Sequence, residues 1–223
     1  MTALAAFRSR IRLLLGDPDA DRFTSNLIDE SLRQALDQYT KSWPQIKSAS
    51  HTVTAAGRDQ DLTLTITEPL LTILQVIYPY DAAILTPSYT TAYYFTFGAA
   101  PILHLSGDAV PQVGQKISLT YAAPQYIKDL DTATTTTVHA THEGILCLGA
   151  AGYANIMRSS EISEAYGSRA SDLSQLVEIG KAFLATFTDA LSRLHYEHQA
   201  HRTVTPLGGW SLDAWDGQQY GRN

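Results

Sequence analysis

The chain holds a single cysteine, Cys147, in 223 residues, which excludes an intrachain disulfide framework and any cysteine-built zinc site within one copy. A lone thiol of this kind is expected to sit buried as a small apolar group. Basic residues are scarce too: 16 Lys and Arg stand against 22 Asp and Glu, a net charge of −6. They form no block, so the chain lacks the electrostatic footprint with which proteins clamp phosphates. Long apolar runs are missing, since none approaches the roughly 18 to 20 residues that span a bilayer. The segment Met1 to Leu15 is interrupted by Arg8, Arg10 and Arg12 and has no small-residue cleavage pattern, so it does not read as a signal peptide. The expected setting is the cytosol or a particle assembled there.

Catalytic signatures are also absent. No G-x-S-x-G, no phosphate-binding glycine loop and no G-x-G-x-x-G after a strand occurs. His139, His142 and Glu143 form H-x-x-H-E, but the zinc-protease helix needs its histidines four apart, and Glu143 is better read as favouring a helix dipole. His195, His198 and His201 recur every three residues, yet no carboxylate or cysteine completes a ligand set, so surface histidines are expected. Asp59 with Asp61, and Asp129 with Asp131, read as turn residues that hydrogen-bond their own backbone. A hydrolase built on two such carboxylates leaves no local motif and stays a third alternative. The sequence therefore names no catalytic, cofactor-binding or metal-ligating residue, and a non-enzymatic protein is expected.

What is present is pattern, in a chain that is 44% hydrophobic. Leu4, Phe7, Ile11 and Leu14 fall on one helical face, and Gly16-Asp17-Pro18 ends that helix. Ser25 or Asn26 is placed to cap a second helix, with Asp29 and Glu30 in its first turn and a stripe of Ile28, Leu32, Ala35, Leu36 and Tyr39. Trp43-Pro44 closes it. From His51 to about Thr136 the period changes to alternation, in Leu62, Leu64 and Ile66, in Tyr93, Phe95 and Phe97, and in Ile117, Leu119 and Tyr121. Turn signals cut this block into about six or seven antiparallel strands, with 73–78 and 102–105 the more buried. Thr134 to Thr137 reads as a linker.

Helical character returns from His142 to about Arg158, crowded with Gly144, Gly149 and Gly152. Each glycine costs a helix roughly 1 kcal/mol against alanine, so close approach of another backbone is implied. The last helix, from about Ser171 to His198, carries Leu173, Leu176, Val177, Gly180, Phe183, Leu184, Phe187, Leu191 and Leu194 on one stripe and should run on the order of 40 Å. The fold class is thus α+β: a helical bundle of two N-terminal and two C-terminal helices, an inserted antiparallel β domain and an extended C-terminal tail. In residue numbers the helical body is 1–48 with 138–199, the insert is 49–137 and the tail is 200–223. In the tail, Trp210, Trp215 and Tyr220 are the candidate partner-binding anchors. Twelve tyrosines against six phenylalanines, with Tyr78, Tyr80, Tyr89, Tyr93 and Tyr94 close together, suit either an interface or ordinary sheet packing.

The segment Phe23 to Pro44, a capped helix ending in an aromatic and proline, resembles the second helix of the head-tail connector adaptor proteins of long-tailed bacteriophages. The run Gly144 to Ala154 is similar to that family's small-residue helix, and the helix ending near Leu194 resembles the long one that follows. These stretches cover about a third of the chain. The resemblance implies a structural virion protein of the neck, assembled in the host cytoplasm. It implies a homo-oligomeric ring, a dodecamer, between the portal protein and a stopper or tail-completion protein, with double-stranded DNA passing through unbound. A carbohydrate-binding or adhesion module, resting on the tyrosine-rich sheet, is the alternative.

Overall fold

The computed structural model describes residues 2–81, 93–96, 101–106, 110–166 and 170–203. Helix α1 (Leu4–Leu14) buries Leu4, Phe7 and Ile11, and Gly16 takes the left-handed conformation at φ +62° that lets the chain turn away. The Asp17 carboxylate then accepts the backbone N–H groups of Asp21, Arg22 and Phe23, which fixes the path into α2 (Ser25–Ser42). The cap of α2 is Thr24, whose hydroxyl accepts Leu27 N–H at 3.3 Å, and not Ser25 or Asn26. With the start set there, Asp29 falls beyond the first turn. Its carboxylate instead takes Arg8 in two hydrogen bonds of 2.8 and 2.6 Å, joining α1 to α2.

Trp43 caps the end of α2 and Pro44 follows it. Among the described residues six strands come next: β1 (Gln45–Thr52), β2 (Asp59–Asp61), β3 (Thr72–Ile77), β4 (Tyr93–Thr96), β5 (Ile102–Leu105) and β6 (Lys116–Ala123). They form two antiparallel three-stranded sheets in the orders β1-β6-β3 and β2-β5-β4. A shared core that includes Val53, Leu62, Val76, Leu103, Ile117 and Leu119 lies between them. Alternation reads true in β6, where Ile117, Leu119 and Tyr121 are all buried. It misleads at Leu62, Leu64 and Ile66. That stretch is a turn in which Ile66 N–H reaches back to Leu62 O at 2.8 Å, so Leu62 and Ile66 point inward four residues apart while Leu64 is 91% exposed. Asp59 and Asp61, expected in turns, lie on β2, where Asp61 at the strand end accepts Thr63 N–H as a turn residue does.

After β6 the chain passes through Pro124 and a looped return to a 3-10 turn (Ala140–His142), then α3 (Glu143–Tyr166) and α4 (Ala170–Thr203). Both helices run past the ends expected from periodicity. All four helices contribute to one core: Phe7 and Ile11 of α1, Ile28 and Leu32 of α2, Cys147 and Ala151 of α3, Phe187 and Leu191 of α4. Ile127, Leu130 and Val138 of the return segment join the same core. The fold is therefore α+β, a four-helix body with an inserted antiparallel β arm, and the arm leaves and rejoins the body on neighbouring strands, since Gln45 and Ala123 are cross-strand partners. The threonine run is more than a spacer. Thr136 hydroxyl donates to Thr2 O at 2.5 Å, and Thr137 hydroxyl donates to Gln125 Oε1 at 2.8 Å.

Candidate assembly surfaces

Helices α3 and α4 cross in close contact at their glycines. A methyl group at Gly149 would stand 2.8 Å from the Phe187 ring, and one at Gly152 would stand 2.8 Å from Leu184 and 3.1 Å from Gly180 O. Gly180 answers from the other helix, with Gly152 O and Ile156 each 3.0 Å from where its Cβ would be. Two of the three expected glycines thus make the seam. Gly144 does not, because nothing lies within 4 Å of its missing Cβ. The seam fixes α4 as a rod of 34 residues, about 51 Å at about 1.5 Å per residue. One side of the rod packs through Gly180, Phe187, Leu191 and Leu194, while Ile179, Ala182, Thr186, Asp189, Arg193 and Tyr196 remain exposed along another.

Ion pairs hold α1 against this frame. Arg10 reaches Glu143, whose side chain is 7% exposed at the start of α3, so the carboxylate serves both an arginine and the helix N-terminus. Arg33 of α2 pairs with Asp131 at 2.8 Å, and Arg33 and Asp131 hold each other charged: the guanidinium is pushed up and the carboxyl down. Asp129 and Asp131 do sit in a turn, both at positive φ. Burial pushes the Cys147 thiol up to about 11, so it stays protonated, in keeping with an inert core residue.

A second cluster forms where α2 ends, α3 begins and α4 runs out. Tyr39 Oη lies 2.8 Å from His142 Nδ1. The Trp43 ring meets His142 at 5.0 Å on one contact and His198 at 5.2 Å on another. His139 lies 5.3 Å from His142. The two sequence motifs that gave isolated histidines thus share one tryptophan, a meeting no local spacing could signal. His198 is buried, not a surface residue. Among the described residues, no group of three or more His, Cys, Asp and Glu side chains is placed to hold a metal ion.

The junction between body and arm is the other group that sequence reading missed. Gln125, 5% exposed, donates its backbone N–H to Thr40 Oγ1 and its side-chain Nε2 to Trp43 O at 2.8 Å. Gln45 Nε2 donates to Pro124 O at 2.6 Å. Beside this junction a groove of about 310 Å³ is lined by Lys47, Glu68, Tyr126, Thr134, Thr135 and Thr137. Glu68 accepts Lys47 Nζ at 2.5 Å and Tyr121 Oη at 2.8 Å. Burial pushes its pKa up, but these two bonds outweigh that and hold the carboxyl below its usual range.

Of the tyrosines, Tyr78 is buried and donates to Gln115 Oε1 at 2.6 Å, and Tyr93 packs against the arm core with its hydroxyl 3.3 Å from Ile73 O. These two serve sheet packing. Tyr89 and the side chain of Tyr94 lie outside the described residues, as do Trp210, Trp215 and Tyr220. Of the paired acids, Asp59 binds His104 Nδ1 at 2.6 Å, and Asp61 takes the hydroxyl and backbone N–H of Thr63. No helix among the described residues is long and apolar enough to cross a membrane. No protein-family model matches the chain, and comparison with curated proteins finds no relative.

Proposed function

We propose that this chain is a structural subunit of a phage head-tail connector, an adaptor ring that extends the portal channel and docks the stopper or tail after DNA packaging. The observation that carries this reading is the single helical core built from both ends of the chain, from which the β arm departs on adjacent strands. A ring subunit has to present two unlike lateral faces in fixed geometry, because heterologous contacts close only at one rotation. The glycine seam and the α1 ion pairs supply that rigidity. The exposed side of α4 between Ile179 and Tyr196, about 26 Å at about 1.5 Å per residue and carrying small residues between them, offers one lateral face. The arm offers a separate docking element.

The net charge of −6 suits a wall past which DNA moves without adhering. The inward placement of Tyr78 and Tyr93 leaves the carbohydrate-binding alternative with less exposed aromatic surface than the sequence suggested. The test is assembly. Purified chain mixed with portal protein should give rings in negative stain and a discrete high-mass species in mass photometry. Tyr196→Asp and Ile179→Asp should abolish that species while circular dichroism stays unchanged. A chain that remains monomeric and indifferent to portal and neck partners removes the proposal.

A further inference from the structure

Strand β1 forms one margin of its sheet, since the order is β1-β6-β3. The carbonyls of Lys116 and Ala122 accept the N–H groups of Tyr80 and Leu71 on the β3 side, so the even-numbered residues of β6 turn their backbone toward β3 and the odd-numbered ones toward β1. With Ile117 opposite His51, Leu119 opposite Ala49 and Tyr121 opposite Lys47, the backbone of those three β1 residues is engaged with β6. Val53 N–H continues the odd series to Gln115 O. The N–H and C=O groups of Ile46, Ser48, Ser50 and Thr52 are left aimed away from the sheet. None of these groups has a hydrogen-bond partner among the described residues, and all of these side chains are exposed.

A bare edge of this kind recruits another strand unless charge, proline or a bulge blunts it. The other margins are interrupted or short: β3 carries a register shift between Ile73 and Gln75, and β2 and β4 hold 3 and 4 residues. By contrast β1 runs for 8 residues in unbroken register without proline. Its outward positions carry no charge, and its lysine, Lys47, is paired with Glu68. Alongside lies a groove of about 520 Å³, walled by Ala49 to Thr52 on one side and by Asp61, Leu64 and Thr65 on the other.

We propose that β1 pairs antiparallel with β1 of a second copy of this chain, about a two-fold axis at Ala49, joining the two arm sheets into one. That register sets Ser48 against Ser50 and Ile46 against Thr52 of the other copy, so every outward N–H and C=O of these residues is paired. Moving the axis to Ser48 would set Thr52 against Pro44, which has no N–H to give. Moving it to Ser50 would set Ile46 against Thr54, beyond the end of the strand. Charge selects the same register. Lys47 of one copy stands opposite His51 of the other, where Asp61 lines the same groove. The lysine stem covers Leu64, 91% exposed at the rim, and its ammonium meets the Asp61 carboxylate. Each helical body joins its strand at Gln45, so antiparallel pairing sends the two bodies to opposite ends, whereas a parallel pair would crowd them together. The pairing stands apart from the adaptor reading, whose lateral face lies on α4.

Sedimentation velocity of the full chain over a concentration series should show a reversible monomer–dimer equilibrium, with the Ser48 and Ser50 amides exchanging more slowly as the dimer fills. Ser50→Pro removes an outward donor and leaves the bonds to β6 in place. With one N–H lost on each copy, association should weaken by at least about tenfold while the Ala49 and His51 amides stay protected. Ala49→Cys should give a disulfide-linked dimer on oxidation, because residues on the axis form a non-hydrogen-bonded pair with Cα atoms about 4.5 Å apart. Cys147 is buried and does not compete. Ile179→Asp, which alters the α4 face, should leave this dimer whole. A chain that stays monomeric throughout the series overturns the pairing. So does a dimer unmoved by Ser50→Pro, a dimer abolished by Ile179→Asp, or an Ala49→Cys chain that oxidation does not link. The cross-link decides the matter should Ser50→Pro cost the arm its fold.

Discussion

In the helical body, glycines let α3 and α4 close until the Phe187 ring rests on backbone. In the β arm, two small sheets meet over aliphatic side chains with a buried polar group among them. There His51 is 4% exposed, with Nδ1 2.8 Å from Thr65 Oγ1, while Gln60 Nε2 donates to Gly57 O at 2.7 Å. The body is therefore specified mainly by shape, where an added methyl group is felt at once. The arm is specified in part by polar bonds that hold its turns to β1, where an unpaired partner is the costly event. Each region has its own core, so a defect in one can be read apart from the other.

The largest effect should come from Phe187→Ala, which empties the seam and costs about 3–5 kcal/mol; amide exchange should lose protection through α3 and α4 while strands β1, β3 and β6 keep theirs. Leu119→Ala, at about 2–5 kcal/mol, should do the reverse, and exposure of the helical segments in that variant would break the comparison. Asp17→Asn should cost about 1.5–3 kcal/mol by weakening three bonds to a charged acceptor. Burial pushes Asp17 up, but the N–H groups of Phe23, Arg22 and Asp21 and the Arg22 charge outweigh it, so its folded pKa lies below the ordinary value. Its contribution is present above that ordinary value and fades as pH falls through the folded one. Acid titration of wild type and variant should therefore converge at low pH.

Glycine substitutions sharpen the contrast within the body. Gly152→Ala sets a methyl group against Leu184 and Gly180 O, an overpacking cost of about 1–3 kcal/mol that exceeds a helix-propensity gain of about 1 kcal/mol or less, so thermal unfolding should come earlier. Gly144→Ala meets open space and should raise the midpoint slightly, a gain of at most about 1 kcal/mol. If both substitutions shifted the midpoint alike, the seam would not be what distinguishes the two glycines.

The helices were legible because their apolar spacing repeats over many turns: Leu4, Phe7 and Ile11 in α1, and Phe187, Leu191 and Leu194 in α4, all emerge buried. Punctuation was legible where chemistry forces it, at Gly16 and at Trp43-Pro44. Leu62 and Ile66 deceived because residues four apart satisfy a strand period and a helical turn equally, and only the exposure of Leu64 separates the two. Gly144 was grouped with its neighbours since composition carries no direction, whereas the seam follows one face of α3. The Trp43 contacts with His142 and His198, and the Gln125 links to Thr40 and Trp43, join residues about 80 to 155 positions apart, beyond any periodicity. The tail anchors fall outside the described residues, so their role rests on the sequence alone.

The pairing of Gln45 with Ala123 has an evolutionary consequence. Opposite residues of an antiparallel ladder stand about 5 Å apart, so the coding stretch between them could be shortened to a tight hairpin, or exchanged for a different module, with the helical footing undisturbed. Lineages that share the footing are then free to diversify what it carries by recombination at a single site.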